Sequence, residues 1–514
     1  MDTPPGRTPA VDESLTSFLG SFQRLAEIAA EQSQRERTAG GEPLVPVLQA
    51  HLGTDPRTLP VLTEQLSILR AVDADVALEH VIAGYGGGGL IGIGGGEQRW
   101  NSSLSEIVQH AGQYGRFPVG PVDYRTVPVG PDTERSAISF GLHLFHVARD
   151  GASQPVAVLE RGGNPQFGQQ PQLEVLAAAD GVAAALLSEV REAMNTFSVL
   201  RGQVVTFTAS DYEPSAGGVT FQRRPELGVA DVVLPDGTLE RIERHVLGIA
   251  RHREDLSRAG QHLKRGVLLY GPPGTGKTHT VRYLVGAAED ATVILLSGLS
   301  LQLVSLAAST ARVLQPAIVV LEDCDLVAEE RGHMSSSPLL FEVLDALDGL
   351  AADSDVVFLL TTNRVDVLEP ALAQRPGRVD LAVEIPLPDT LARRALIGLY
   401  ARDLPFSAVV LDEVAAGAEG TTASFSKELV RRAVLLAAEA GDAGEVGDPE
   451  LRAALEEMMA DSDAITRALL GGSGDEGEPV IAEHEGHPSG AGWFAYAPRS
   501  GSGFSPRFRP RFRG

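Results

Sequence analysis

The chain has 514 residues, of which 43% are hydrophobic and 22% charged, so a wholly disordered protein is excluded and about three domains are expected. Its formal net charge of −25 argues against a protein that coats nucleic acid over much of its surface. The single cysteine, Cys324, excludes an internal disulfide and a cysteine-based metal cluster.

The first ten residues contain three prolines and no apolar run. No later stretch is both long and apolar enough to predict a membrane helix. The sequence therefore predicts no signal peptide, no membrane partner and a cytoplasmic location, which the scarcity of cysteine also favours.

Residues 1–225 predict one α+β N-terminal domain that selects a client or adaptor. The segments with helical patterns are 11–37, about 58–82 and 172–200. The segments with strand-like patterns are 137–148, 155–160, 203–208, 218–222 and 230–234. Between them, the glycine-rich stretch Gly84 to Gly96 lacks a preceding strand and a following helix, so we expect a loop there. No residue in this region suggests a specific chemistry.

From about residue 229 the pattern changes to short apolar runs that alternate with helical segments. Such runs are typical of parallel strands covered on both faces. The predicted strands are Gly266–Tyr270, Ala291–Leu296, Ala317–Leu321, Asp355–Leu360 and Leu381–Ile385. Residues 389 to about 470 are rich in alanine and leucine and predict helices, and residues 471–514 form a low-complexity tail that we expect to be disordered.

A glycine-rich loop directly follows the first of these strands and precedes a helical segment. Its residues are Gly271, Pro272, Pro273, Gly274, Thr275, Gly276, Lys277 and Thr278. Glycines in such a loop let successive backbone N–H groups surround a phosphate, and the helix N-terminus adds positive potential. Lys277 is expected to reach the β- and γ-phosphates of a bound nucleotide, and Thr278 to offer its hydroxyl to Mg²⁺.

Two adjacent carboxylates, Glu322 and Asp323, follow the apolar run at residues 318–321. Parallel sheets bind ligands at the carboxyl ends of their strands, which is where these side chains emerge. One carboxylate is expected to help hold Mg²⁺ through water, and the other to polarise the attacking water. The pair therefore completes a predicted site for nucleotide hydrolysis.

Residues from about 231 to 440 resemble the AAA family within the AAA+ ATPases. The resemblance rests on the phosphate loop, the two carboxylates, the triplet Thr361-Thr362-Asn363 and the run from Leu368 to Asp380. It implies an α/β fold with a P-loop AAA+ parallel-sheet core over residues 226–388 and a helical lid over residues 389–470. The α+β N-terminal domain would precede this core.

The resemblance also implies roles for single residues. The family's triplet ends in an asparagine that senses the γ-phosphate and helps to orient water, and that position is Asn363 here. Its arginine fingers, lent across a subunit boundary, correspond to Arg375 and Arg378, where guanidinium groups stabilise charge on the transferred phosphoryl group. By position, Glu322 corresponds to the Mg²⁺ residue and Asp323 to the residue that polarises water.

Two features depart from the family pattern. The family usually has aspartate followed by glutamate where this chain has the reverse order, as in the mitochondrial inner-membrane translocase branch, and the shorter base predicts slow turnover. Threading members carry an aromatic residue in the loop after the second strand, whereas residues 297–307 contain none. A His-Glu-x-x-His motif is also missing from the sequence, which removes the zinc-protease branch as an interpretation.

Two hypotheses from different classes follow. The first is an ATP-hydrolysing homo-oligomeric ring, a hexamer, that remodels a protein client, because fingers aimed at a neighbour require a closed head-to-tail assembly. The alternative is a nucleotide-gated scaffold that binds ATP with little turnover. A nucleic-acid motor ranks last, because only the five arginines interleaved with aromatic residues after Glu485 favour it against an acidic chain.

Overall fold

The chain is described by a computed structural model. It describes residues 42–111, 117–149, 151–163, 169–208, 218–324, 353–364, 379–440 and 446–469, with residues 24, 349 and 351. The helix expected over residues 11–37, apart from residue 24, and the tail expected to be disordered lie outside the described residues. Two seven-stranded sheets organise the described part of the chain.

The first sheet is antiparallel in every pairing and has the order β1-β7-β6-β5-β2-β3, with β4 beside β5. Its strands are β1 (Val61–Gln65), β2 (Gly88–Ile93), β3 (Val119–Gly120), β4 (Asp123–Pro128), β5 (Glu134–Arg149), β6 (Ala152–Arg161) and β7 (Gln172–Ala177). The α-helices of this region are α1 (Leu44–Leu52), α2 (Ala71–Gly84), α3 (Gln98–Asn101), α4 (Leu104–His110) and α5 (Val182–Thr196). Short 3₁₀ turns cover Pro56–Thr58 and Ile68–Arg70.

Helices cover both faces of this sheet, which explains why β5 and β6 are apolar enough to be predicted from sequence. On one face, helices α2 and α5 bury residues such as Leu78 and Leu186 against Val156. On the other face, helices α1 and α4 bury residues such as Leu48 and Ile107. The N-terminal part therefore has the α+β character that the sequence predicts.

Three predictions in this region are wrong in detail. The glycine-rich stretch is not a loop: it contains strand β2, and a β-carbon on Gly92 would lie only 1.7 Å from the carbonyl oxygen of Pro121. Its glycines therefore permit close backbone packing. The helical pattern at 58–82 divides into strand β1 and helix α2, and the pattern at 172–200 divides into strand β7 and helix α5, because β1 and β7 pair with each other.

The second sheet has the order β14-β10-β13-β12-β11-β8-β9, and only its terminal β8–β9 pair is antiparallel. Its strands are β8 (Val204–Phe207), β9 (Val219–Gln222), β10 (Arg265–Tyr270), β11 (Thr292–Ser297), β12 (Ala317–Glu322), β13 (Val356–Thr362) and β14 (Leu381–Glu384). The five strands predicted for the α/β core are therefore confirmed. Apolar clusters lie on both faces of this sheet, as buried parallel strands require.

The helices of this region surround the sheet. They are α6 (Thr238–Glu243), α7 (Ile249–Arg251), α8 (Arg253–Arg258), α9 (Lys277–Ala287) and α10 (Val304–Val313). A π-helical turn covers Arg244–Gly248, and 3₁₀ turns cover Val229–Asp231 and Gly298–Leu303. The strand-like run predicted at 230–234 is therefore not a strand.

The boundary predicted at residue 225 separates two strands from the sheet to which they belong. Strand β8 pairs with β11, Val204 lying opposite Val293, and strand β9 pairs with β8. The sequence could not assign these short runs to either sheet, because only the pairing of β8 with β11, 89 residues further along the chain, joins them to the second sheet.

The described residues after 388 form helices, as predicted: α11 (Thr390–Ala401), α12 (Ala408–Gly417), α13 (Ala423–Glu439) and α14 (Asp448–Leu469). They bury a core of their own, which includes Ile397, Val414, Leu429 and Leu451. The chain divides into two compact units at Met458, and of the second unit only the end of α14 is described. Within the described residues, we find no helix whose length and apolarity would let it span a bilayer.

Candidate nucleotide site

The phosphate loop lies between strand β10 and helix α9, the context that the sequence predicts. Three of its residues, Gly271, Gly274 and Gly276, have φ values of +142°, +75° and +109°, which side chains disfavour. The loop also leaves no room at its start, because a β-carbon on Gly271 would lie 2.2 Å from the carbonyl oxygen of Ile385. The backbone therefore needs glycine for conformation and for space.

Lys277 is held within this loop. Its ammonium group donates hydrogen bonds to the carbonyl oxygens of Gly271 and Pro272 at 2.9 and 2.8 Å. The side chain is buried, and the hydroxyl of Thr275 also donates to Pro272 at 2.9 Å. A buried cation at the N-terminus of α9 is what an entering polyphosphate requires, since the helix end and the ammonium both favour negative charge.

Thr278 and Glu322 lie side by side across the edge of the sheet. Glu322 is the last residue of β12, and the side chain of Thr278 hydrogen-bonds to its carboxylate. Burial, and secondarily the charge of Asp323, raises the pKa of the Glu322 carboxyl, while Thr278 and Arg282 oppose that rise. A hydroxyl beside a half-buried carboxylate is a hard oxygen pair of the kind that Mg²⁺ prefers, so these residues fit the predicted metal.

Asp323 and Asn363 form the second half of the site. The Nδ2 atom of Asn363 donates to Oδ1 of Asp323 at 3.3 Å. Asp323 follows β12 and Asn363 follows β13, and these strands are parallel neighbours. The carboxyl ends of adjacent strands thus bring together two residues that the sequence identified separately.

Two residues that contact the site had no role assigned to them from the sequence. The N–H group of Ser424, in the first turn of α13, donates to the carbonyl of Gly274 at 3.0 Å, so this helix touches the phosphate loop. Thr361 accepts a hydrogen bond from the backbone of Asp323. The sequence placed Thr361 in the triplet that ends in Asn363 but gave it no role, and an ordinary helix start was the only signal for Ser424.

Two other predicted features are the arginine fingers and the aromatic-free segment at residues 297–307. Arg375 and Arg378 lie outside the described residues. The aromatic-free segment is described: it forms a 3₁₀ turn in which the Ser300 hydroxyl accepts from the N–H of Ser297 at 2.8 Å. Leu301 and Leu303 are buried there, while Leu299 is 55% exposed.

Comparison with known proteins supplies an independent test of the resemblance. Residues 267–387 match the family described as "ATPase family associated with various cellular activities (AAA)". The matched range begins inside β10 and includes the phosphate loop, both carboxylates and Asn363. It also includes the positions of Arg375 and Arg378.

Curated relatives match over a wider range. FtsH 3 of Sphaerobacter thermophilus, an ATP-dependent zinc metalloprotease, is 33% identical over 310 residues, 57% of this chain and 62% of the relative. FtsH 2 of the same organism is 33% identical over 288 residues, 52% of this chain and 44% of the relative. The 26S proteasome regulatory subunit 6A of Encephalitozoon cuniculi is 31% identical over 228 residues, 41% of this chain and 56% of the relative. The chain thus spans about half the length of these relatives, and residues 267–387, which contain the phosphate loop, are the part that matches the AAA family.

Proposed function

We propose that this chain binds and hydrolyses MgATP and that it works as a homo-oligomeric ring, a hexamer, that remodels protein clients. The observation that carries the proposal is the convergence of Lys277, the Thr278–Glu322 pair and the Asp323–Asn363 pair at one edge of a parallel sheet. The names of the relatives, an ATP-dependent metalloprotease and a proteasome regulatory subunit, support ATP use and protein clients.

Each residue has a distinct role in this proposal. The loop N–H groups and Lys277 bind the phosphates, while Thr278 and Glu322 would hold Mg²⁺, which would supply positive charge beside those phosphates. Asp323 accepts a proton from the attacking water, and Asn363 orients that water against the γ-phosphate. The water oxygen bonds to the γ-phosphorus as the bond from that phosphorus to the bridging oxygen breaks, which yields ADP and inorganic phosphate. Arg375 and Arg378 of an adjacent subunit would stabilise the charge that moves to that oxygen.

The domain limits are part of the proposal. We assign client or adaptor selection to the first sheet and its helices, from about residue 42 to about residue 200. The ATPase core then takes in β8 and β9 and extends to residue 388, instead of beginning at residue 226. Residues 389–470 would form the lid, which the hydrogen bond from Ser424 to the phosphate loop supports. The acidic chain favours a protein partner over nucleic acid, and the single cysteine favours a cytoplasmic location.

Steady-state ATP hydrolysis with Mg²⁺, across a series of protein concentrations, tests this function. Wild type should turn over with a specific activity that rises with concentration, because each site needs a neighbour's arginine. Lys277→Ala should lose nucleotide binding, whereas Asp323→Asn should bind ATP without hydrolysing it. Wild-type activity no greater than that of Asp323→Asn would refute the ATPase.

A mixing experiment tests the ring separately. Lys277→Ala and Arg375→Ala should each be inactive alone, for different reasons. In a mixture, a Lys277→Ala subunit can still lend its finger to an intact nucleotide site in an adjacent Arg375→Ala subunit. We therefore expect partial recovery of activity in the equimolar mixture, and no recovery would contradict fingers that act between subunits.

The alternative function, a nucleotide-gated scaffold, has two observations in its favour. The base at position 323 is the shorter carboxylate, and the segment after β11 is fixed by Ser300 with two of its leucines buried. Tight ATP binding without turnover, combined with an oligomeric state that changes between ATP and ADP in sedimentation, would favour this scaffold over the remodelling motor.

A further inference from the structure

Asp323 has a backbone conformation that residues with side chains rarely adopt. Its φ is +50°, in the left-handed region, and only two other described non-glycine residues, Phe117 and Arg402, have a positive φ. Such a conformation persists where surrounding contacts hold it in place. At the end of β12, those contacts come from the neighbouring strand β13.

Thr361 accepts hydrogen bonds from the two backbone N–H groups that flank the α-carbon of Asp323. Its hydroxyl accepts the N–H group of Asp323 at 3.0 Å, and its carbonyl oxygen accepts the N–H group of Cys324 at 3.0 Å. Thr361 is 0% exposed, so water cannot take over these bonds if the side chain is changed. Its own position is fixed by the pairing of β13 with β10, where it lies opposite Leu269.

The turn that Thr361 holds determines where the two carboxylates go. In a continuing strand, consecutive side chains point to opposite faces of the sheet. The left-handed conformation ends this alternation directly after Glu322, whose carboxylate hydrogen-bonds with Thr278 of the phosphate loop. Asp323 then contacts Asn363, so the two adjacent carboxylates serve two parts of one site.

We propose that Thr361 is the positioning residue of this site, whose hydroxyl holds Asp323 in the left-handed turn from which its carboxylate can reach the attacking water. The inference rests on the proposed hydrolysis of ATP and names a residue that the sequence motifs leave without a role. Thr361 need not touch the nucleotide. Its loss should let the backbone at Asp323 relax and should misdirect the base, while the phosphate loop that binds ATP is unchanged.

Three variants isolate the hydroxyl. Thr361→Val keeps the shape of the side chain and the backbone carbonyl but removes the acceptor, whereas Thr361→Ser keeps the acceptor. Thr310→Val is the matched control, because Thr310 is also buried and its hydroxyl donates to the carbonyl of Leu306 within α10. For each variant, kcat and KM for ATP are measured together with the Kd for ATP in the presence of Mg²⁺ and the thermal unfolding midpoint.

We expect Thr361→Val to lower kcat at least tenfold while KM and Kd change less than threefold. Thr361→Ser should recover kcat to within threefold of wild type, and Thr310→Val should keep wild-type kcat. Equal kcat for Thr361→Val and wild type would overturn the positioning role. So would a low kcat in both Thr361 variants with a weakened Kd, since that pattern indicates a general loss of structure.

The same assay separates this inference from the proposed function. If wild type itself shows no turnover above Asp323→Asn, the ATPase fails and the positioning role falls with it. If wild type is active and Thr361→Val is equally active, only the positioning role is refuted. Recovery by serine is the decisive result, because a merely structural role for the side-chain methyl group would not predict it.

Discussion

Glycine at the start of the phosphate loop is required for space as well as for conformation, and two alanine variants separate these requirements. Gly271→Ala and Gly276→Ala both place a methyl group on a residue with positive φ, +142° and +109°. The new carbon at position 271 would lie 2.2 Å from the carbonyl oxygen of Ile385, whereas at position 276 it would meet no atom within 4 Å. The two variants therefore share the backbone penalty and differ in the steric one.

The magnitudes follow from these contacts. A side chain in a sparsely populated backbone region costs of order 1–3 kcal/mol, which applies to both variants. Relieving the contact at Gly271 requires the β10–β14 edge to separate, and overpacking of this kind adds about 1–3 kcal/mol. The separation also strains the hydrogen bond from Ile385 N–H to Tyr270 at 2.7 Å. We expect losses of about 2–6 kcal/mol for Gly271→Ala and about 1–3 kcal/mol for Gly276→Ala.

Native-state hydrogen exchange measured on peptides that cover β10 is the appropriate assay, because it gives a local free energy of opening without assuming two-state unfolding of the whole chain. The nucleotide-free protein is used, so that altered ATP binding does not contribute. The reasoning is refuted if the two variants lower the opening free energy of β10 equally, or if Gly276→Ala lowers it more.

Three further predictions concern charges. Because burial and the charge of Asp323 raise the pKa of Glu322, its ionised form opposes folding, and this cost appears as pH rises through the raised pKa. In EDTA at pH 7, Glu322→Gln should therefore unfold at a higher urea concentration than wild type. This difference should disappear below about pH 4, where the wild-type carboxyl is protonated in both states, and a difference that persists there would contradict the explanation. Asp73→Ala removes the buried carboxylate that accepts hydrogen bonds from Arg70, Ser198 and Val199, and it should lower the opening free energy of β8 by about 2–4 kcal/mol in hydrogen exchange. The partly exposed Asp55→Ala should leave that free energy unchanged. Arg224 donates hydrogen bonds to four backbone carbonyls, three of them at or after the end of α9. Arg224→Ala should therefore lower the opening free energy of β11 in hydrogen exchange by about 2–3 kcal/mol. Full recovery of that free energy by Arg224→Lys would contradict a role for these four hydrogen bonds, because lysine keeps only the charge.

The parts of the fold that could be predicted from sequence are those whose signal is local. Strands β10 to β14 are buried on both faces, so each is a continuous apolar run that needs no knowledge of its partner. The phosphate loop and the carboxylate pair were found for the same reason: each motif is contiguous, and its place after a strand fixes its edge of the sheet. The long strands β5 and β6 belong to this group as well.

The parts that could not be predicted depend on partners remote in the chain. Strand β1 lies within a segment whose leucines have helical spacing, and it is a strand because it pairs with β7. Strand β8 is four residues long, and only its pairing with β11 assigns it to the second sheet. At the site, Thr361 acts through its hydroxyl on Asp323, a contact between two strands that no spacing rule encodes. Arg375 and Arg378 stay predictions, because they lie outside the described residues.

The junction between the two sheets bears on how nucleotide state could reach a client. Asp73 of α2 is buried and accepts hydrogen bonds from the hydroxyl of Ser198 and the N–H group of Val199, both at 2.8 Å, directly before β8. Leu69, from the turn that precedes α2, lies in the same apolar cluster as Val304 of α10.

These contacts connect the first sheet with helix α10, which packs against the second sheet. Arg201 adds a hydrogen bond to the carbonyl of Gln315 at 3.0 Å, beyond the other end of α10. Helix α10 begins where the 3₁₀ turn after β11 ends, close to the carboxyl edge that carries the nucleotide site. A flexible tether would decouple the two sheets, but a buried carboxylate with three partners and a shared core resist independent motion. Movement at the carboxyl edge of the second sheet would therefore be passed to the first sheet through these contacts.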